Sequence, residues 1–276
     1  MLLENTLIQI VAEKKQQGVN KIVTLNYLKE YIQLVVLSLL YNSKNFKTLI
    51  FKGGSCLRVC YDLPRLSEDL DFDYDMVEIK KSLLPALDEY LSRTIKQTYF
   101  SQLETKIQST IRLYLKFPLL YDLGITQKPE SNKLYVKLET TDNLLPYAKF
   151  EITPVSRFGF NFVANHYDLP TLMVGKINAL LYRLWYKGKN KEVDIKGRDF
   201  YDIYWFLQKR VEPNWKTLKK TTGIKSEREL KLLLLERAKK NITPQKLRYD
   251  LQNFFLDRQF VTDFSKNYLE IIKKYL

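Results

Sequence analysis

The chain holds one histidine, two cysteines, nine glycines and nine prolines in 276 residues, and each scarcity removes a class of function. With His166 as the sole imidazole, a Ser-His-Asp or Cys-His arrangement has one candidate base, and no G-x-S-x-G turn accompanies it. Nucleophilic hydrolase chemistry is therefore set aside. Cys56 and Cys60 meet no second cysteine pair and no histidine cluster, so no zinc set is complete, and they read as free thiols on one helix face. The few glycines and prolines form no linker or low-complexity tract, and no internal repeat is seen. The longest apolar run, IQLVVLSLLY at 32–41, is too short to span a bilayer, and MLLENTLIQIVAEKK lacks the order of a signal peptide. Reduced thiols, no export signal and no membrane partner predict a cytoplasmic protein.

What is present is a core-forming, basic composition. Hydrophobic residues make up 45%, enough to bury a sizeable core in one large or two modest domains. The net charge of +14 is unevenly spread. Residues 171–276 carry 24 Lys/Arg against 12 Asp/Glu, whereas residues 1–170 carry 21 against 19. Such a basic third is the footprint of a phosphate-backbone partner, or simply a lysine-rich solvated surface.

Periodicity predicts helices over 3–16 and 24–42, a short buried strand over 46–51 and a short helix over 55–63 closed by Pro64. EDLDFDY, 68–74, alternates strictly and predicts a strand with one apolar and one acidic face. A helix is expected over 77–96, and strands over 106–117, 133–141 and 148–155. FGFNFVANHY is expected to be core rather than a base-stacking surface. From Leu172 onward the pattern is helical. The composition and charge both shift near residue 170, which marks the domain boundary. The predicted fold class is α+β: a short mixed sheet with flanking helices, followed by an α-helical domain.

The chemistry concentrates in FKGGSCLRVCYDLPRLSEDLDFDYD, 51–75. Asp69 and Asp71 leave one face of a strand side by side, and their repulsion is relieved by a hard divalent cation such as Mg²⁺. A lone D-x-D is otherwise a solvated polar face. Gly53-Gly54-Ser55 ends the preceding strand and opens a helix, where glycines permit close approach of a phosphate and the helix terminus offers free N–H groups. Glu68 leaves by the opposite face, and Asp73 and Asp75 read as solvated strand end.

These residues resemble the first motif of the AbiEii/AbiGii-type nucleotidyltransferase toxins, a family that includes the MenT toxins and belongs to the DNA-polymerase-β-like nucleotidyltransferases. Its pattern is Gly-Gly-Ser/Thr, an arginine-containing spacer and S-x-D-L-D-F. VKLE, 136–139, is similar to the family's K-x-E/D strand. GKINALLYRLWYKGKNKEVDIKGRDFYDIYWFL, 175–207, resembles its K-x-x-A-L…R…R-D-x-x-D segment, with a long charged insert, YKGKNKEVDIK. The resemblance implies a polymerase-β-like nucleotidyltransferase domain with N-terminal helices over 1–170 and a basic helical domain over 171–276. It implies Asp69 and Asp71 as ligands of one or two Mg²⁺ ions. Glu139 is the third carboxylate, with Glu151 as its rival. Gly53, Gly54, Ser55 and Arg58 would hold the triphosphate of an NTP. Lys176, Arg198, Asp199 and Asp202 fall on the polar positions of the last segment; there Lys176 would offset phosphate charge and Asp199 would orient Lys176 or the nucleotide. Read on spacing alone, Lys176 is equally a snorkelling surface lysine, and Arg198 beside Asp199 equally a structural ion pair.

The implied activity is that of a Mg²⁺-dependent nucleotidyltransferase toxin of a toxin–antitoxin, phage-defence (abortive-infection) pair. It would transfer NMP to an acceptor hydroxyl at the 3′ end of tRNA, with an antitoxin, of winged-helix type, encoded nearby. The alternatives are a protein-nucleotidylating toxin, a metal-dependent nuclease and a non-catalytic RNA-binding module.

Overall fold

The apolar run at 32–41 becomes the second half of a long helix whose burial explains its hydropathy. In the computed structural model, which describes residues 2–75, 83–183, 186 and 194–276, helix α1 spans Leu2–Gln16 and α2 spans Lys21–Tyr41. Helix α2 is long and apolar enough to cross a membrane, but Leu28, Ile32, Val36, Leu37 and Leu40 are fully buried within the protein. Asn20 caps it, accepting from Val23 N–H at 3.0 Å.

The chain then runs through β1 (Ile50–Lys52), α3 (Gly53–Tyr61), β2 (Asp69–Asp73) and α4 (Leu83–Thr98). Five strands follow: β3 (Glu104–Gln108), β4 (Arg112–Pro118), β5 (Lys133–Thr141), β6 (Phe150–Arg157) and β7 (Phe160–Tyr167). Together the seven form one mixed sheet in the order β3-β4-β5-β2-β1-β7-β6. Strand β2 lies at its centre, antiparallel to β1 and parallel to β5. The predicted strand over 106–117 is two strands, because Ser109 takes a positive φ of 58° and reverses the chain between them. The strand expected from residue 46 starts only at Ile50. The helix expected over 77–96 is seen from Leu83 onward, its first residues lying outside the described ones.

Alternation sorts the sheet into two faces. Leu70 and Phe72 of β2, Phe51 of β1, Leu138 of β5 and Leu113 of β4 are all 0% exposed, and α2 and α4 cover this side. Phe51 and Phe72, paired in register, stack at 5.4 Å, worth about 0.5–1.5 kcal/mol beyond their buried area. The register that buries these rings sends Asp69, Asp71 and Asp73 to the other face.

The chain divides into two compact units, residues 1–144 with 151–166, and residues 145–150 with 167–276. The first holds the sheet apart from its terminal residues Phe150 and Tyr167. The second holds α5 (Leu169–Tyr182), α6 (Gly197–Gln208), α7 (Trp215–Thr222), α8 (Glu227–Asn241), α9 (Pro244–Leu251) and α10 (Arg258–Lys273). Its core is aromatic: Tyr201 touches Phe255 at 4.9 Å and Phe264 at 5.3 Å, and Phe264 touches Tyr268 at 5.5 Å.

Candidate functional site

The centre of the first unit's polar face is set by strand register. Asp71 pairs with Glu139 and Asp69 with Lys137 across the parallel β2–β5 ladder, so all four side chains leave the same face. Arg112 of β4 stands opposite Glu139 on the next strand. Lys137 Nζ lies 3.1 Å from Asp69 Oδ2 and 2.9 Å from Glu139 Oε1, and Arg112 Nε donates to the same Glu139 oxygen at 2.7 Å. Burial alone would raise Glu139, but the hydrogen bonds from Lys137 and Arg112 outweigh it and hold this carboxyl below its ordinary value. Burial likewise opposes the charge on Lys137, yet Asp69 and Glu139 together push it up. Glu151, the rival third carboxylate, lies on β6, three strands from β2 and roughly 14 Å away at about 4.8 Å per strand. It accepts from Tyr61 Oη at 2.6 Å.

The donor set suits a hard cation in part. Lys137 already places a positive charge between Asp69 and Glu139, which marks the spot as one where carboxylates need a cation. Asp69 and Asp71, on one rigid strand, fit a divalent ion. The three-carboxylate set is not gathered, however: Glu139 is turned to two cations, and no group of three or more His, Cys, Asp or Glu side chains converges on a metal position among the described residues.

The glycine turn is built against this strand. Gly53 has φ +78°, and a Cβ there would lie 2.2 Å from Asp71 Oδ2. A Cβ on Gly54 would lie 2.7 Å from the Arg65 guanidinium and 2.8 Å from Ser67 Oγ. Arg65 lies in the arginine-containing spacer and Ser67 opens S-x-D-L-D-F, but neither is assigned a role from the sequence, because their nearness to Gly54 exists only once the chain has turned at Pro64. Lys52 is the N-cap of α3 and makes no side-chain cap. By contrast Asn20, Asp168, Asn214, Ser226, Thr243 and Asp257 all cap their helices with a side-chain oxygen. The first turn of α3 is thus not capped by its own N-cap side chain, and a helix start left uncapped in this way suits an anionic ligand.

Other residues expected in the triphosphate seat are used differently. Ser55 is 1% exposed, and its hydroxyl donates to the Asp69 carbonyl, tying α3 to β2. Arg58 turns away: Nε donates to Glu30 of α2 at 2.6 Å and Nη1 to the Leu63 and Pro64 carbonyls. It secures the turn rather than a ligand in this structure. Asp73 corrects the expectation of a solvated strand end. It is 1% exposed and paired with Lys52 Nζ at 2.5 Å, with the Thr141 hydroxyl donating to it as well.

Behind the seat, Cys56 is buried and Cys60 half-buried on one face of α3, both as free thiols. A hydrogen bond from Cys56 and a second from His166 lower Cys60 to about 6, against its own burial. His166 is fully buried, with Nε2 2.9 Å from Thr153 Oγ1 and Nδ1 3.4 Å from Tyr61 Oη, and so belongs to the packing of β7.

In the second unit, Lys176 sits in mid-helix on α5 and is no surface lysine. Its ammonium is 2.7 Å from Asp202 Oδ2 and 3.7 Å from Asp199 Oδ1. Asp202 is 0% exposed. Asp199 Oδ2 takes Arg183 Nη1 at 2.7 Å, whereas its buried Oδ1 has no hydrogen bond. Arg198 is structural here. Its backbone N–H and Nε donate to Asp250 Oδ2 at 2.9 and 3.4 Å, and its guanidinium lies 3.9 Å from the Phe254 ring centre. Most of the charged insert, 187–193, lies outside the described residues.

Comparison with known proteins gives this geometry its family. No curated protein sequence matches the chain. Among solved structures it resembles MenT4, a nucleotidyltransferase toxin from Mycobacterium tuberculosis H37Rv, at TM-score 0.53 and 13% identity, over 98% of this chain and 89% of that one. It is also similar to JHP933 from Helicobacter pylori, at TM-score 0.49 and 15% identity over 91% of each chain. At such identities the likeness to MenT4 speaks for the fold, the α+β architecture expected from the sequence. The family profile described as nucleotidyl transferase AbiEii toxin, type IV toxin–antitoxin system, matches residues 36–276, which include the glycine turn, the acidic strand and the Lys176–Asp202 segment. The chain belongs to the AbiEii nucleotidyltransferase toxin family: it is a nucleotidyltransferase whose family implies an NTP substrate, a divalent metal and an antitoxin partner.

Proposed function

We propose that this toxin is Mg²⁺-dependent and transfers an NMP unit from an NTP to the 3′-terminal hydroxyl of tRNA, so blocking translation as part of a phage-defence pair in the cytoplasm. The observation that carries the reading is the contact of Gly53 with Asp71, which makes the phosphate seat and the acidic strand a single rigid piece. In this reading residues 1–170 perform the transfer and the basic helices of 171–276 grip the acceptor's phosphate backbone.

Asp69 and Asp71 would hold the Mg²⁺, which when bound supplies Lewis-acid stabilisation of phosphoryl oxygens. Lys137, lying between Asp69 and Glu139, would balance their charge beside such an ion. Gly53 and Gly54 let the triphosphate approach the backbone, and the first-turn N–H groups of α3 orient it. Ser55 and Arg58 keep that turn in place. Glu139, held below its ordinary value by two cations, is a weak base. Its role is to position Lys137 and Arg112 rather than to take the acceptor's proton. Lys176 offsets phosphate charge while Asp202 and Asp199 hold its ammonium, and Arg198 anchors α6. The antitoxin is proposed to be a winged-helix protein encoded nearby.

The test is to incubate the chain with Mg²⁺ and each radiolabelled NTP, together with total tRNA or with a protein extract. Label is expected in tRNA, and none with Asp71→Ala. Label in protein would replace the acceptor. RNA fragments formed without NTP would mean a nuclease, and a growth effect surviving Asp71→Ala would mean a non-catalytic RNA-binding module.

A further inference from the structure

Among the described residues, two cations of the second unit, Lys196 and Arg237, line a small cavity with no carboxylate at salt-bridge distance, although Asp199 on the same lining favours the charge on Lys196. The cavity encloses about 50 Å³ among α5, α6 and α8 and is lined by Arg183, Lys196, Asp199, Arg237 and Asn241 among others. A single water needs roughly 10–15 Å³ on this scale, so the space admits a few waters or one tetrahedral oxyanion. The neighbouring charges pair off: Arg183 with Asp199, Lys176 with Asp202, Arg198 with Asp250, and Lys246 with Asp194. Lys196 and Arg237 are left. Arg237 gives one Nη to the Leu181 carbonyl at 2.6 Å, and among the described residues neither cation has a carboxylate within salt-bridge distance. Two of the four buried side-chain oxygens that lack a hydrogen-bond partner among the described residues, Asp199 Oδ1 and Asn241 Oδ1, belong to residues lining this cavity, and Asp199 is only 3% exposed.

Half-buried cations without an ion-pair partner carry a desolvation cost, and orphaned buried acceptors are rare enough to need an explanation. One occupant answers both. We propose that this cavity is a binding site for a single phosphate group, its oxygens between Lys196 and Arg237, and its hydroxyl or attendant water donating to Asp199 Oδ1 and Asn241 Oδ1. Burial, and then Arg198, lower Lys196 to about 8, which a bound anion would reverse. The phosphate is either a phosphodiester of an RNA strand or a free phosphate or pyrophosphate. The site stands on the second unit alone and does not depend on the transfer reaction.

The experiment uses the full chain in phosphate-free buffer. Inorganic phosphate and pyrophosphate are titrated by calorimetry, and a short single-stranded RNA is followed by fluorescence anisotropy, each against Lys196→Gln and Asn241→Asp. Losing a charged hydrogen bond should weaken binding roughly tenfold or more in Lys196→Gln. Asn241→Asp is nearly isosteric and adds a negative charge to the cavity, so it should abolish phosphate binding while the fold, checked by its melting curve, is kept. Loss in the RNA arm, with phosphate competing, assigns the site to a strand phosphodiester; loss confined to the phosphate and pyrophosphate arms assigns it to the free anion. The proposal is overturned if the wild type binds none of the three ligands, or if both variants bind them as the wild type does.

Discussion

Gly53 and Asp71 leave no room between them for a methyl group: a Cβ on Gly53 would stand 2.2 Å from Asp71 Oδ2, at a backbone φ of +78°. The substitution Gly53→Ala therefore acts twice. A left-handed backbone at a non-glycine residue costs about 1–2 kcal/mol. The clash also pushes Asp71 off its position, and a displacement on the order of 1 Å at a reacting centre can cost roughly 10²-fold in rate. Gly124 separates the two effects, since it has φ +64° with nothing within 4 Å of its Cβ position. Gly124→Ala should lower the melting temperature by a similar amount and leave NTP incorporation nearly intact. Equal activity in the two variants would remove Gly53 from the site.

Glu139 makes a pH prediction. Its folded value is depressed, because hydrogen bonds from Lys137 and Arg112 outweigh burial. The stability it contributes is therefore fully present above its unfolded value, about 4.3, and is lost as pH falls through the lower folded value. Glu139→Gln should melt lower than wild type at neutral pH and approach it under acid. Melting curves that stay parallel down the acid limb would show that the Lys137–Glu139–Arg112 cluster contributes nothing there.

What could be read from the sequence was whatever is local in the chain. The alternation of EDLDFDY predicted β2 with its acidic face, and the Gly-Gly-Ser turn predicted the start of α3. What could not be read was set by register and return. Lys137 reaches Asp69 only because β5 lies parallel to β2, and nothing within VKLE announces that partner. Asp73 read as solvated because Lys52, which buries its charge, lies 21 residues earlier in the chain. The β3–β4 hairpin read as one strand because its turn at Ser109 has neither glycine nor proline. Spacing alone left Lys176 open between a phosphate-facing and a surface lysine because its counter-ions come from α6, beyond the charged insert.

Cys60 is expected to behave as an acidic thiol. Its hydrogen bond from Cys56 is the largest influence lowering it, with His166 adding to this. Alkylation by iodoacetamide should be half-maximal near pH 6, below the value of about 8.5 for an ordinary cysteine. Cys56→Ala should move the midpoint up and Cys56→Ser, which keeps a donor, should move it less. A midpoint unchanged by Cys56→Ala would show that the two thiols do not interact.

The pair Lys176–Asp202 separates stability from function. Asp202 has no exposed surface and Lys176 has 12% of its side chain exposed. Removing one partner of a buried pair strands the other, at a cost of about 3–5 kcal/mol. Asp202→Ala and Lys176→Met should therefore each unfold at markedly lower denaturant. Replacing both with apolar residues of similar size, Lys176→Met with Asp202→Leu, is often neutral for a buried pair, so the double variant should regain most of the lost stability. If Lys176 meets phosphate, the double variant stays inactive despite its recovered fold, measured as NTP incorporation beside a denaturant melt. If recovered stability brings recovered transfer, the ion pair holds α5 to α6 and takes no part in the chemistry.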